Sequence, residues 1–230
     1  MPMRIAIPNI ALAFAGALLL ASAAANAADT HPDFTGTYLL RKDTSILLMK
    51  PNPEFQLTPE AAQAYERNKA GVAAGDPEID TALKCQPLGI PRLLYPGPIV
   101  FEVVQTPKAI SVIGEWLGPT RLIQMAANHR AGYYPTYMGD SIARWDGDAL
   151  VIDSVNFATT TFLDNSGFPH SDQLHVVERW RLVNGGKSIE NRITFDDPKI
   201  FQAPWSRIFY YDHTDEIPTE NVCENTRNTP

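Results

Sequence analysis

The chain has 230 residues, a formal net charge of −7, and 44% hydrophobic and 20% charged residues. This composition is typical of a folded globular domain rather than of a disordered chain. The acidic balance and the lack of any Lys/Arg cluster in the sequence argue against nucleic acid or an anionic membrane as the partner.

The first 27 residues predict a secretory signal peptide. Arg4 precedes an apolar run over residues 10–20, and a group of small residues ends at Ala27. The run is too short for a membrane span, which needs roughly 20 residues, and no later segment is as apolar. We therefore expect a periplasmic or secreted bacterial protein without a membrane span, whose single mature domain covers 28–230. Loss of Arg4 would change the formal charge from −7 to −8 (−7 − 1).

The next segments predict one strand, one helix and one irregular region. Residues 33–43, DFTGTYLLRKD, predict an opening strand. A helix follows, with Thr58 as its N-cap, Pro59 at its first position and Gly71 near its end. Residues 75–98 contain five prolines and three glycines, so we expect an irregular excursion there.

The rest of the chain alternates polar and apolar residues with a period of two. The runs are IVFEVVQT, AISVIGEWL, TRLIQMAA, SIARW, DALVIDSVNF, QLHVVERWRLV, KSIENRITF and RIFYYDH. Turn residues separate them, which is typical of short antiparallel strands. We expect a mainly β protein: a lipocalin-like (calycin-type) antiparallel barrel with one N-terminal helix and an interior that can hold a ligand.

The chain has two cysteines, Cys85 and Cys223, and both remain after signal cleavage. In an oxidising compartment pairing is the default, so we expect one disulfide between the proline-rich excursion and the C-terminal region. A reactive thiol is the alternative, but it would need a nearby base and a reducing compartment, and the sequence suggests neither.

Five motifs resemble a family of secreted, mostly uncharacterised bacterial proteins: CQPLGIPR, GDSIARWDGDALVIDSVNF, FPHSDQLHVVERWR, DDPKIFQAPW and ENVCENT. One departure is Ala143, where that family usually has Gly, and a strand tolerates both residues. The chain also resembles, more distantly, exported sphingomonad-type proteins that act on lignin-derived phenolic dimers as cofactor-free lyases. This second resemblance implies an aromatic substrate and no cofactor.

The segment GDSIARWDGDALVIDS predicts a tight hairpin whose two loop residues are Asp146 and Gly147. This register would place Asp140 opposite Asp153, on one sheet face with Arg144 and several apolar residues. Charges along an apolar ladder are costly in a dry core unless they pair. The face therefore either lines a cavity or meets solvent, with Arg144 in a surface ion pair.

The segment FPHSDQLHVVERWR places Glu178 in the apolar phase of its strand. Such a carboxylate either pairs with an Arg, for example Arg144, or has a raised pKa that suits proton transfer. His170 and Ser171 lie in the loop that enters this strand. They are either functional loop residues or structural caps of the strand entry.

Other enzyme classes are not supported by the motifs. His170, Asp172 and His175 do not have the spacing of a zinc site, and GDSIA lacks the final Gly and the helix of a serine-hydrolase motif. No Gly-rich turn opens a helix after a strand, so a nucleotide loop is not indicated. We expect neither a metal nor an organic cofactor.

The candidate site therefore consists of titratable, cationic and aromatic residues that a barrel could bring to one cavity. The acid–base candidates are His170, Glu178 and Tyr137. The substrate-binding candidates are Arg121, Tyr133, Tyr134, Arg144, Ser171 and Arg179. The tyrosines have the alternative of being aromatic filler on strands and loops.

Three functions fit these residues. The first is a cofactor-independent lyase for a small aromatic compound, and the second is a non-catalytic periplasmic binding protein for a hydrophobic small molecule. The third is a cell-envelope protein that uses its outer sheet surface. A buried Glu178 or His170 that reaches a closed cavity favours the enzyme, an apolar cavity without paired titratable groups favours the binder, and no cavity favours the third.

Overall fold

Nine strands form a closed barrel in the computed structural model. The structure describes residues 31–41, 56–94, 100–115, 120–219 and 223, so the predicted signal peptide, residues 1–27, lies outside the described residues. The strands are β1 (Gly36–Leu40), β2 (Val100–Gln105), β3 (Ala109–Gly114), β4 (Thr120–Met125), β5 (Asp140–Asp146), β6 (Ala149–Val155), β7 (His175–Val183), β8 (Ser188–Asp196) and β9 (Trp205–His213).

Each strand pairs with the next one in the chain, and β9 pairs with β1 to close the barrel. The expected mainly β, lipocalin-like barrel with one helix is confirmed. The expectation that all strands are antiparallel is wrong at one step, because β4 and β5 pair in parallel over Ile123–Met125 and Ser141–Ala143. The connection over residues 126–139 is long enough to return the chain to the same end of the barrel, as a parallel pair requires.

The helix α1 (Pro59–Ala74) begins as predicted, since the Thr58 side chain accepts a hydrogen bond from the Ala61 N–H at 3.2 Å. It ends at Ala74, so Gly71 lies near its end as predicted, and the C-cap is Gly75, whose φ of 66° is the left-handed conformation of a glycine C-cap. One face of α1 packs on the segment 156–174 that connects β6 to β7, where the rings of Tyr65 and Phe168 lie 5.4 Å apart.

The proline-rich excursion is irregular, as expected, with two short 3₁₀ turns at Thr81–Lys84 and Arg92–Leu94. Arg92 donates two hydrogen bonds, of 2.9 and 2.8 Å, to the buried carboxylate of Asp80. The predicted disulfide is confirmed: Cys85 and Cys223 are bonded, with their Cα atoms 5.5 Å apart. A buried ion pair and a covalent bond therefore hold this segment in place.

The barrel interior is filled by side chains from the inward phase of the strands. On β7, for example, Val176, Glu178 and Trp180 point inward and are fully buried, while the residues between them are partly exposed. Aromatic residues from several strands occupy the same space, including Tyr38, Phe101, Phe209 and Tyr211.

The β5–β6 hairpin has the predicted faces but a different register. Asp146 pairs with Ala149, so the two loop residues are Gly147 and Asp148 rather than Asp146 and Gly147. Asp140 consequently faces Val155, and Asp153 faces Ile142, which corrects the expected Asp140–Asp153 pair. The shift leaves the face of every residue unchanged, because each pairing moves by two positions.

Gly147 has a φ of 63°, as predicted for a two-residue hairpin loop, and a Cβ added there would meet no atom within 4 Å. Replacing Gly147 by Val therefore costs only the strain of a β-branched residue in a positive-φ conformation. We expect Gly147→Val to lower the free energy of unfolding by about 1–3 kcal/mol in a urea titration. Asp148→Ala, at the other loop position, should stay within about 0.5 kcal/mol of the parent. Equal loss in both variants would contradict this account.

Candidate functional site

Glu178 is one half of an ion pair inside the barrel. Its Oε1 lies 2.6 Å from Nη2 of Arg121 on β4, and both side chains are 0% exposed. This is a charge contact without hydrogen-bond geometry, whereas Oε2 accepts hydrogen bonds from Trp180 Nε1 at 3.1 Å and from Asn191 Nδ2 at 2.9 Å. The expected pairing of Glu178 with an Arg holds, but the partner is Arg121 and not Arg144.

The rest of this network is also made of barrel side chains. Arg121 Nη2 donates a 2.9 Å hydrogen bond to Ser154 Oγ, which lies 2.8 Å from Ser141 Oγ. Burial raises the pKa of the Tyr211 hydroxyl, and the nearby Glu178 carboxylate raises it further. None of the cavities described below is lined by Glu178 or Arg121. The geometry therefore gives this pair a structural role.

His170 and Ser171 lie in the segment that leads into β7, and hydrogen bonds hold both residues in place. His170 Nδ1 lies 3.0 Å from the carbonyl oxygen of Ser171, and Nε2 lies 2.8 Å from Thr161 Oγ1. The neutral imidazole can make both contacts if Nδ1–H donates and Nε2 accepts from the Thr161 hydroxyl, whose proton has the Ala158 carbonyl oxygen at 3.1 Å as a second acceptor. Ser171 donates from its backbone N–H and its hydroxyl to Asp197 at 2.6 and 2.7 Å. These bonds are those of a structural cap.

His170 borders a cavity of about 260 Å³ between α1 and the segment 156–174. Burial lowers the pKa of His170, against the opposing effects of the Ser171 carbonyl and the Asp197 charge.

This pKa shift predicts a loss of stability in acid. The unfolded chain takes up a proton on this His near pH 6.5, and the folded chain does so only at lower pH. As the pH falls below about 6.5, the free energy of unfolding of the parent should therefore decrease more than that of His170→Gln. Urea titrations of both proteins between pH 7.5 and 5 measure the difference. A parent and a variant with the same pH slope would contradict the prediction.

The tyrosines of the 126–139 connection border a groove of about 340 Å³ on the outside of β4. Tyr133 and Tyr137 line it together with Arg130 and Leu122. The Tyr133 ring packs on Arg130, whose Cζ lies 3.4 Å from the ring centroid, and Tyr134 is 70% exposed. Two of the three predicted tyrosines thus share one groove, but it does not contain Glu178, His170 or Arg144.

A larger groove, of about 660 Å³, lies on the outer face of β5, β6 and β7. Its apolar lining includes Met125, Ile142, Val151 and Val177. We call it the outer groove. Its charged residues are Arg144, which is exposed, and Asp153.

Asp153 joins two histidines at the outer groove. Its Oδ1 lies 2.9 Å from Nε2 of His175 on β7 and 2.9 Å from Nε2 of His129 in the 126–139 connection. The hydrogen bond with Asp153 raises the pKa of His175 above its usual range, although burial opposes it. The same bond is the main cause that lowers the pKa of Asp153.

Asp140 fixes the 126–139 connection to the barrel. Its carboxylate is 1% exposed and accepts hydrogen bonds from the Arg130 backbone N–H at 2.8 Å and from Arg130 Nε at 2.7 Å. Burial raises the pKa of Asp140, but the bonds from Arg130 outweigh it and the pKa is lowered overall. His129 Nδ1 lies 3.2 Å from the same carboxylate. Asp140 and Asp153 thus hold the wall of the outer groove in place.

The predicted site residues therefore lie in separate places, and none of the three cavities described above brings His170, Arg144 and the tyrosines together. Glu178 and Arg121 are inside the barrel, His170 and Ser171 are at the strand entry, and Arg144 is on the outer face. Arg179 is also on the outer face, where its Nη1 donates to Asp146 at 2.6 Å. The barrel separates them because adjacent residues of a strand point to opposite faces.

The sequence reasoning missed His129 as a site residue and used His175 only to reject a metal site. His175 has a detectable signal, since it shares the outward phase of β7 with Val177 and Arg179. His129 has none, because it lies in a connection without periodicity. Its contact with Asp153 depends on the parallel pairing of β4 and β5, which the sequence pattern does not indicate.

The sequence matches no protein-family model and no curated protein. Among the described residues, no three His, Cys, Asp or Glu side chains are placed to hold a metal ion. In the same part of the chain, no helix has both the length and the apolar composition of a membrane span.

Proposed function

We propose that the protein binds a small aromatic or apolar molecule in the outer groove. The observation that carries this proposal is a groove of about 660 Å³ with a largely apolar lining that includes two charged residues. Ligand sites are commonly of this size, roughly 300–1,000 Å³, and combine an apolar surface with a few polar groups. The predicted signal peptide supports action in the periplasm or outside the cell.

The lining favours a flat apolar ligand. The Met125 thioether makes favourable contacts with aromatic rings, and the branched side chains of Val151 and Val177 offer a rigid apolar surface. The guanidinium of Arg144 can stack on a ring or hold an oxygen of the ligand. The three cavities described above are not lined by the internal residues Glu178, Arg121 or Trp180, so they offer no support for a lipocalin-like internal site.

Mass spectrometry of the protein purified from its own host, under conditions that retain ligands, tests this proposal. We expect a bound small molecule in the parent and none in Ala127→Trp, because Ala127 lies exposed at the outer groove and an indole would fill it. Leu122→Trp is the matched control, since Leu122 is exposed and lines the smaller tyrosine groove. A ligand lost only in Leu122→Trp would place binding in that groove and refute the proposal.

A second candidate is the cofactor-independent lyase, now at the outer groove rather than in the barrel. The Asp153–His175 pair favours it, because Asp153 lines the groove and contacts a histidine, and a carboxylate that orients a histidine is a common acid–base arrangement. Incubation with the retained compound should then yield a product. Asp153→Asn and His175→Gln should each reduce turnover about 10²- to 10⁴-fold. If no product forms with the parent, the binding function alone remains.

A further inference from the structure

A row of arginines crosses the outer face of the barrel. In the β5–β6 and β6–β7 pairings, Val151 lies opposite both Arg144 and Arg179, and Arg179 lies opposite Arg192 on β8. Neighbouring strands are about 4.8 Å apart, so Arg179 and Arg192 are close like charges. The row concentrates positive charge on this face of the barrel.

Among the described residues, only one arginine of this row forms an ion pair within 4.0 Å, although Arg144 interacts with the charge of Asp146 at longer range. Arg179 pairs with Asp146 at 2.6 Å, whereas Arg144 and Arg192 have no carboxylate within 4.0 Å among the described residues. Arg144 is the member that lines the outer groove. The guanidinium of Arg144 therefore lies beside the apolar lining, and its N–H donors are available to a ligand.

The carboxylate of the groove, Asp153, already has partners of its own. Both His129 and His175 lie 2.9 Å from its Oδ1. His129 Nδ1 also lies 3.2 Å from the Asp140 carboxylate. Arg144 is therefore the charged side chain of the groove lining that has no ion-pair partner among the described residues.

We infer that the occupant of the outer groove is an aromatic carboxylate. Its ring would lie on Val151 and Val177, and its carboxylate would accept hydrogen bonds from the guanidinium of Arg144, a geometry that suits a planar two-oxygen acceptor. This inference rests on the proposed function and adds the ligand's charge to it.

Calorimetric titration with two matched probes tests the inference. The probes are 4-hydroxy-3-methoxybenzoate and 4-hydroxy-3-methoxybenzyl alcohol, which share a ring and differ in charge. In the parent the benzoate should bind about 10- to 100-fold more tightly, as a charge-assisted hydrogen bond would give. Arg144→Gln should remove that advantage and leave the affinity for the alcohol unchanged. Arg67→Gln, which removes an exposed arginine from α1, should change neither affinity.

The outcomes separate this inference from the proposed function. If the alcohol binds the parent as tightly as the benzoate, the groove is a ligand site but the anion inference is overturned. If the benzoate keeps its advantage in Arg144→Gln, Arg144 does not hold the carboxylate, and the inference is overturned again. If neither probe binds the parent, or if both bind Ala127→Trp as well as the parent, both proposals fail.

Discussion

Loss of the Cys85–Cys223 disulfide is expected to lower the free energy of unfolding by about 5 kcal/mol. The bond joins residues 138 positions apart, so it removes a large part of the conformational freedom of the unfolded chain. The chain-entropy relation gives about 5 kcal/mol for a loop of this length. A domain has a total stability of roughly 5–15 kcal/mol, so the loss is a third or more of it.

Urea titrations of the oxidised parent and of the double variant Cys85→Ser/Cys223→Ser measure this loss. Reductant should shift the parent's midpoint toward that of the double variant and should leave the double variant unchanged. The ion pair of Asp80 with Arg92 also holds the excursion in place, so Asp80→Asn should lower the stability of the oxidised protein as well. Equal midpoints for the oxidised parent and the double variant would contradict the prediction.

The fold was predictable because its signals are local. The period-two runs with turn residues between them gave the barrel strands, and Thr58 with Pro59 gave the start of α1. The predicted hairpin loop, Asp146 and Gly147, begins one residue too early, because Gly is acceptable at either position of a two-residue loop. The face of each residue depends only on strand parity, so Arg144 and Asp153 were still assigned to the correct face.

The site was less predictable because its contacts join distant segments. Asp153 meets His129 from a connection that has no periodic pattern, and this meeting requires a parallel strand pair. The Arg121–Glu178 pair had a signal that was not used: Arg121 shares the phase of Ile123 on β4, as Glu178 shares that of Val176 on β7. Opposite charges that each lie in the apolar phase of a strand indicate an internal ion pair.

Glu178→Gln is expected to destabilise the protein by about 3–5 kcal/mol, because it leaves the Arg121 guanidinium charged and unpaired in a closed interior. The amide oxygen of Gln can still accept from Trp180 and Asn191, which donate to Glu178 at 3.1 and 2.9 Å. The variant therefore tests the charge pair and not the neighbouring hydrogen bonds. Urea unfolding of the parent and the variant measures the difference.

A double-mutant cycle decides whether this loss comes from the pair. Arg121→Met should also cost several kcal/mol, since it leaves the Glu178 carboxylate without its cation. The double variant Arg121→Met/Glu178→Met should recover much of the stability. Apolar residues of similar volume often replace a buried ion pair at little cost. Ligand retention by the double variant should equal that of the parent, since neither residue lines the outer groove. If Glu178→Gln instead kept the parent's stability and lost only turnover, Glu178 would belong to the catalytic site after all, and the ion pair with Arg121 would be incidental to the fold.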